Sequence, residues 1–265
     1  MIAVSALYIH PIKSCQGIRV ESARLDRRGF VDDRRWMIVD ASGRFVTQRE
    51  EPALAKIKVR VNVDDDALVV STDNARALTM PRTLDTGTRR DVRVWSSTVQ
   101  AVTHDEGSVW FSDVLKREVF VVTMPSDVER AVNPAHARQG DIVGFADGYP
   151  LLIASDESLA DLNARIGDDA NLSMTRFRPN IVLRGGLPFF EDALTQIQIG
   201  SVGVRVVSPC ERCVITTLDP LTGEAGREPL ATLAKFRRDG NGVTFGMNAI
   251  HDAEGTINVG DVVAC

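Results

Sequence analysis

The stretch Ile57-Lys58-Val59-Arg60-Val61-Asn62-Val63-Asp64-Asp65-Asp66-Ala67-Leu68-Val69-Val70-Ser71-Thr72 sets the class of fold. Ile57, Val59, Val61 and Val63 alternate with Lys58, Arg60 and Asn62, the period of a strand with one face buried. The three aspartates form a turn, and Ala67–Thr72 returns as a second strand. The same reading extends outward. Trp36–Asp40 and Arg44–Thr47 flank Ala41-Ser42-Gly43 as a hairpin, and Asp91–Trp95 and Val119–Thr123 are further strands. A short helix is expected over Glu106–Lys116, carrying Trp110, Phe111 and Leu115.

The stretch Met124–Gly148 lacks periodicity and contains Pro125, Pro134, Gly140 and Gly148. It reads as a long loop joining two halves, and loops of that length are often functional. A helix follows, capped by Ser155, with Asp156 and Glu157 at its positive end, Leu159, Leu162 and Ile166 on one face, and Gly167 as its stop. Asn180–Arg184 is a strand. Ile197 and Ile199, then Val202, Val204 and Val206, form a hairpin around Gly200-Ser201. The β-branched run Val214–Leu218 predicts a strand. A last helix is expected from Pro229 to Gly240, with Leu230, Leu233 and Phe236 inward and Arg237 and Arg238 at its negative end. Strands near Val243–Met247 and Thr256–Val263 complete the chain.

Strands outnumber helices and neighbours are hairpin-linked. The expected fold is α+β and strand-rich, with barrel-like antiparallel sheets. The division is an N-terminal β-barrel-like domain over 1–124 and a second barrel domain with a few helices over 125–265. At 265 residues and 44 % hydrophobic content the chain is long enough for a substantial core. A net charge of −5 argues against nucleic-acid polymers as partners. No apolar run reaches the roughly 18 residues of a membrane span, and the N-terminus lacks the pattern of a signal peptide, so a cytoplasmic protein with no membrane partner is expected. No glycine-rich nucleotide motif joins a strand to a helix.

The chemistry centres on Ser208-Pro209-Cys210-Glu211-Arg212-Cys213. Its C-x-x-C pair is open to four readings. A zinc half-site would need Cys15, Cys265 or His251 to complete it. A thioredoxin-like dithiol would be expected to open a helix in a βαβ unit. A single thiolate could hold a soft or redox-active metal, with Arg212 stabilising it. Two packed core thiols with no chemistry is what free cysteine most often is. Basic residues stand at the ends of four separate elements: Lys13, Arg34 with Arg35, Arg176 with Arg178, and Arg212. Each alone is an ordinary surface charge, but together they could converge on one anionic ligand. The four histidines have no metal spacing, and Asp219-Pro220-Leu221-Thr222-Gly223 reads first as a turn.

The motifs Pro11-Ile12-Lys13-Ser14-Cys15, Asp33-Arg34-Arg35-Trp36 and Phe177-Arg178-Pro179-Asn180-Ile181-Val182 come first in the chain. Cys210-x-Arg212-Cys213 with Thr216-Thr217-x-Asp219-Pro220 follows. In that order they resemble the MOSC family, specifically the branch with an N-terminal β-barrel domain that includes the mitochondrial amidoxime reducing component. The resemblance runs nearly end to end and implies a molybdenum–molybdopterin cofactor between the halves. By that resemblance Cys213 is the molybdenum ligand and a catalytic residue. Asp219 is a second catalytic candidate that tunes the site. Lys13, Ser14, Arg34, Arg178, Asn180, Glu211, Arg212 and Asn248 become cofactor contacts; positions 211 and 248 hold other residue types in relatives. The implied reaction is reduction of small N-hydroxylated or N-oxygenated compounds. Electrons would come from a separate donor protein, a ferredoxin or a cytochrome/flavin-type reductase, because some relatives carry a ferredoxin domain that this chain lacks. A pyridoxal phosphate association is the other cofactor the family brings to mind. The alternative is a carrier of the cofactor or of sulfur, with a persulfide on Cys213 and no turnover.

Overall fold

The computed structural model describes residues 1–167, 171–240 and 242–265. The first half contains strands β1 (Ala3–Ile9), β2 (Ile18–Val20), β3 (Ser22–Asp26), β4 (Gly29–Phe30) and β5 (Trp36–Val39), then β6 (Lys58–Asn62), β7 (Ala67–Thr72) and β8 (Ala75–Pro81). Strands β9 (Arg89–Val94) and β10 (Ser97–His104), helix α1 (Asp105–Leu115) and strand β11 (Phe120–Thr123) close it. The second half opens with β12 (Leu151–Ser155), α2 (Asp156–Ile166), β13 (Ile181–Arg184), β14 (Gln196–Ile199) and β15 (Val202–Glu211). It ends with α3 (Leu230–Phe236), β16 (Arg238–Asp239), β17 (Gly242–His251), β18 (Gly255–Asn258) and β19 (Val263–Ala264).

The alternating stretch that opens the sequence reading forms β6 and β7, paired Lys58 to Ser71 through Asn62 to Ala67, and β8 adds a third strand. Val59, Leu68, Val70, Leu78 and Met80 from this sheet pack with Trp36, Ile38, Phe111 and Leu115 into one buried cluster. A second sheet runs β5-β11-β10-β9. The largest sheet runs β19-β14-β15-β17-β12-β13-β1-β2, with β16 attached to β17. Its pairs are antiparallel except β12 with β13, which α2 connects. Ser155 caps α2 as expected, accepting from the Ser158 backbone N–H at 3.2 Å. One face of the sheet buries Leu7, Ile153, Ile181, Val204 and Ala249; the other packs Phe177, Leu162, Leu233 and Phe245 beneath α2 and α3.

Two connections tie the halves together. Strand β1 pairs with β13, Ala3 opposite Arg184 and Leu7 opposite Ile181. Strand β3 pairs with β18, Ser22 opposite Asn258. The loop after β1 therefore emerges beside the segment that precedes β13. The expected long loop is present: between β11 and β12 only a single bridge, Ala131 to Ile142, interrupts irregular chain.

Two expectations are corrected. Val214–Thr217 is a turn of 3-10 helix, not a strand. The Thr216 hydroxyl donates to the Cys213 carbonyl at 2.9 Å, and the Thr217 hydroxyl donates to the Val214 carbonyl at 2.8 Å. These local bonds outcompete the strand preference of a β-branched run. Helix α3 is also shorter than the pattern to Gly240 implied. The Arg237 N–H still closes the last turn on the Leu233 carbonyl, but Arg238 and Asp239 turn back and pair with Val243 and Gly242.

Strand β15 is displaced by one residue against β17 over a short interval. Val206 faces Ala249, Ser208 faces Asn248, Pro209 faces Met247 and Glu211 faces Thr244. A bulge before Ser208 and an opposing one at Phe245-Gly246 bracket this interval, and Cys210 lies opposite the second. Gly246 has φ +75°, and a Cβ there would stand 2.6 Å from the Ile153 carbonyl oxygen on β12. Gly246→Ala is therefore expected to destabilise the protein by about 2–4 kcal/mol, through left-handed strain plus backbone collision. Urea unfolding monitored by circular dichroism measures it, and a change below about 0.5 kcal/mol would refute this account of the bulge.

Candidate functional site

Lys13 and Ser14 follow β1, Arg34 precedes β5, Arg178 and Asn180 precede β13, and Glu211, Arg212 and Cys213 follow the bulged end of β15. All of them, with Asn248 of β17, line one cleft. The cations on its wall are Lys13, Arg34, Arg49, Arg176, Arg178 and Arg212, against Asp147 and Glu211. A wall of that composition attracts anions. The expected convergence of the four basic segments thus occurs, with one exception. Arg35 turns away to Asp26, at 2.6 Å, and to the Phe30 carbonyl.

The side chains are held by a connected set of bonds. The Arg34 guanidinium donates to both oxygens of buried Asp33, to Asn180 Oδ1 at 3.1 Å and to the Arg178 carbonyl at 3.0 Å. Asp33 also accepts the His10 backbone N–H at 2.8 Å. The Arg178 guanidinium donates to the Cys15 carbonyl at 2.7 Å. Asn180 accepts from the Leu152 N–H and donates to the Tyr8 carbonyl, pinning β12 and β1 together. Ser14, Arg34 and Arg178 all have left-handed backbone, with φ of 72°, 45° and 54°. Such conformations cost about 1–3 kcal/mol each and gather where a structure must aim particular groups.

Lys13 is buried, donating to the Phe145 carbonyl at 2.8 Å and to Asp147 at 2.5 Å. Burial lowers its pKa, and Asp147 partly offsets that. Although 68 % of the Asp147 side chain faces the open cleft, its surroundings raise the cost of its charge. The Lys13 ammonium, the Trp95 indole N–H at 3.0 Å and Arg34 outweigh that cost and hold the carboxyl well below the usual range. Arg178 is pulled down to about 10 by burial and by Arg34.

The two cysteines have separate cationic neighbours. The Arg212 guanidinium reaches Cys210 Sγ at 2.9 Å and the Phe177 carbonyl at 2.6 Å. The Cys213 Sγ instead accepts from Arg49 Nη2 at 3.1 Å. The expectation that Arg212 stabilises the Cys213 thiolate is thereby corrected: a two-residue step along the chain places Arg212 on Cys210. Cys15 is sealed in the Trp36 cluster, and burial pushes its thiol up to about 12, while Cys265 is exposed. Among the described residues, no three His, Cys, Asp or Glu side chains gather as a metal cage.

Asp219 lies behind the wall. It accepts from Arg176 at 2.9 Å and from the Leu221 and Thr222 N–H groups of its own turn. Glu211 packs against Gly242, where a Cβ would stand 2.8 Å from its carboxyl carbon. Asn248 donates to Ser208 Oγ and the Pro209 carbonyl across the displaced register. Sequence reasoning missed Arg49, Asp147 and Trp95. Arg49 sits in Gln48-Arg49-Glu50-Glu51, which reads as solvated surface. Asp147 belongs to the long loop, whose length was the only signal.

Family models match the chain in two places: MOSC N-terminal beta barrel domain over residues 1–118 and MOSC domain over residues 140–264. The chain is 35 % identical over 246 residues to mitochondrial amidoxime reducing component 2 of Bos taurus, covering 88 % of this chain and 72 % of that protein. It is 33 % identical over 279 residues to mitochondrial amidoxime-reducing component 1 of Homo sapiens, covering 98 % and 82 %. A molybdenum cofactor sulfurase of Oryza sativa subsp. japonica is 28 % identical over 265 residues, covering 93 % of this chain and 32 % of that protein.

His10 supports the cleft from behind and gives it a measurable pH response. Its ring Nε2 meets the Pro179 carbonyl at 3.2 Å, its Nδ1 is buried without a partner, and Gly17 leaves room for the ring. Burial, then Arg34 and Arg178, holds its pKa well below the ordinary value. His104 and His251 are lowered by burial too. Below about pH 6.5 the unfolded chain takes up protons that the folded chain refuses, so stability falls with pH from there. The thermal midpoint should be lower at pH 5.5 than at pH 7.5, and His10→Gln should flatten that difference. An unchanged difference in the variant would count against His10 as its main source.

Proposed function

Because the chain belongs to the MOSC family, in the branch that joins an N-terminal beta barrel domain to a MOSC domain and includes the mitochondrial amidoxime reducing components, we propose that it is a molybdenum cofactor-dependent reductase of small N-hydroxylated compounds. Electrons come from a separate donor protein, of ferredoxin or cytochrome/flavin type. The observation that carries this reading is the single cleft in which six cationic side chains from distant segments surround the rim holding Cys213.

The residues suit an anionic pterin with a terminal phosphate. Buried Arg176 Nε and Arg212 Nε have no partner among the described residues. The wall therefore has donors left over for a ligand, and a buried donor without a partner is costly. Lys13 offers a compact charge and Arg34 and Arg178 offer planar forks, the complementary ways to hold phosphate. Ser14, Asn180 and Asn248 supply neutral polar contacts, with Glu211 and Arg212 at the rim. Cys213 is the thiolate for molybdenum, a metal that soft ligands suit. When bound, the cofactor supplies the redox chemistry, and the protein supplies binding, orientation and field.

The roles of the remaining side chains follow from their contacts. Arg49 places a positive charge 3.1 Å from the Cys213 sulfur and so favours its anionic form. Asp219 acts through Arg176, fixing a cation on the wall rather than touching the substrate. Asp147 keeps Lys13 charged and stationary.

The likeness to the sulfurase supports a second reading, in which the cleft carries cofactor or sulfur, with a persulfide on Cys213 and no turnover. Production in a host that makes the cofactor, followed by metal analysis and an N-hydroxylated substrate assay with an artificial reductant, separates the two. Close to one molybdenum per chain with substrate reduction is expected. Cys213→Ser should lose at least about 100-fold of the activity, and Cys210→Ser should keep most of it. Equal loss in both variants would overturn the single-ligand assignment. Bound cofactor and cyanide-labile sulfur without reduction would favour the carrier, and zinc without molybdenum would refute both.

A further inference from the structure

Beside the cleft lies a second recess of about 330 Å³, and Phe45, Thr47 and Arg49 line both. Trp95 forms its outer wall. Its side of the molecule is unusual for a tryptophan: the residue is 49 % exposed, with φ of 55° in the left-handed region. The chain turns sharply between β9 and β10 and holds a large apolar ring in water at the mouth of a charged site. A bulky aromatic residue rarely adopts that backbone, and exposure forgoes the gain of burying the ring.

The ring is nevertheless fixed. Its indole N–H donates to Asp147 at 3.0 Å, the same carboxylate that anchors Lys13. The Phe45 ring meets it edge-on with centroids 5.2 Å apart. The Arg49 guanidinium stands 5.4 Å from its centroid, and one nitrogen of that guanidinium also touches Cys213 Sγ. One planar group thus spans from the sulfur to the indole, which puts the Trp95 ring on the order of 10 Å from Cys213. That is the reach of a small ring bearing a reducible nitrogen substituent.

We propose that Trp95 is a specificity-determining residue: its open face stacks the planar conjugated ring of an aromatic or heteroaromatic N-hydroxylated substrate, while Arg49 closes the space between ring and sulfur. This rests on the reductase reading above. A rigid aromatic platform recognises flatness rather than a particular pattern of hydrogen bonds, so the site takes varied flat rings and disfavours small aliphatic N-hydroxylated compounds.

The test compares benzamidoxime with acetamidoxime as substrates of the cofactor-loaded protein, in wild type and in Trp95→Phe, Trp95→Gln and Trp95→Ala. Stacking predicts a roughly 3- to 10-fold rise in KM for benzamidoxime in Trp95→Ala and Trp95→Gln, with kcat little changed. Trp95→Phe keeps a ring and should restore most of the preference, while KM for acetamidoxime stays level throughout. Trp95→Gln retains a donor for Asp147, so a purely structural role would spare that variant or shift both substrates alike. The second measurement needs no turnover: benzamidine should quench tryptophan emission in the wild type and not in Trp95→Phe, where Trp36 and Trp110 remain. Equal KM changes for both substrates, or quenching that survives Trp95→Phe, would overturn the proposal while leaving the reductase reading intact. Quenching lost in Trp95→Phe together with no reduction of either amidoxime would refute the reductase reading and keep the platform.

Discussion

The antiparallel pairing of Ala3–Ile9 with Ile181–Arg184 is the constraint from which the site follows. It is a contact between segments about 178 residues apart in sequence, as Ala3 and Arg184 are not joined by any local pattern. Once it forms, the turn after the first strand and the turn before the thirteenth must leave the sheet side by side. Lys13 and Ser14 arrive on one, Arg178 and Asn180 on the other. Arg34 then bridges them, because Asp33 holds it on one side while Asn180 and the Arg178 carbonyl accept from it on the other. Gathering several positive charges in one place is unfavourable on its own. Asp33, Asp147 and Asp219 each neutralise one of them, and the wall keeps a positive excess toward the open side.

The cysteine segment reaches the same cleft by a different device. A regular strand from Val202 onward would direct alternate side chains to fixed faces of the sheet. The paired bulges displace that pattern over Ser208–Pro209, and Gly246 makes the second bulge possible by accepting a backbone conformation that side chains oppose. The chain then leaves the sheet into the 3-10 turn at Val214, so Cys210 and Cys213 no longer share an environment. Each has its own arginine, one from the same motif and one from the first half of the chain. A cleft built from both halves in this way has a field at Cys213 that neither half produces alone.

Local patterns were sufficient for most elements. The alternation at Ile57–Val63, the Ser155 cap and the Gly200-Ser201 hairpin are near-neighbour effects, and they appear where the pattern puts them. The clustering of Lys13, Ser14, Arg34, Arg178, Asn180, Glu211, Arg212, Cys213 and Asn248 was legible through ordered motifs that resemble a family, not through spacing. Val214–Thr217 misled because threonine hydroxyls can bond the carbonyl three residues back, which a β-branched count ignores. Arg35 misled for a related reason, since neighbouring residues on a strand face opposite ways and only one of the pair can reach the cleft.

By itself the sequence determined the strand-rich class, the positions of most elements, and the inventory of cations and thiols available for a redox-active site. These depend on side-chain periodicity, capping and turn chemistry, which act within a few residues. Tertiary structure decided that Arg49 rather than Arg212 stands on Cys213, that Asp219 reaches the site only through Arg176, and that Asp147 links Lys13 to an exposed Trp95. Those pairings join residues tens to hundreds of positions apart. Sheet register and bulges set them, and no local pattern in the chain encodes which distant partner a charged side chain will meet.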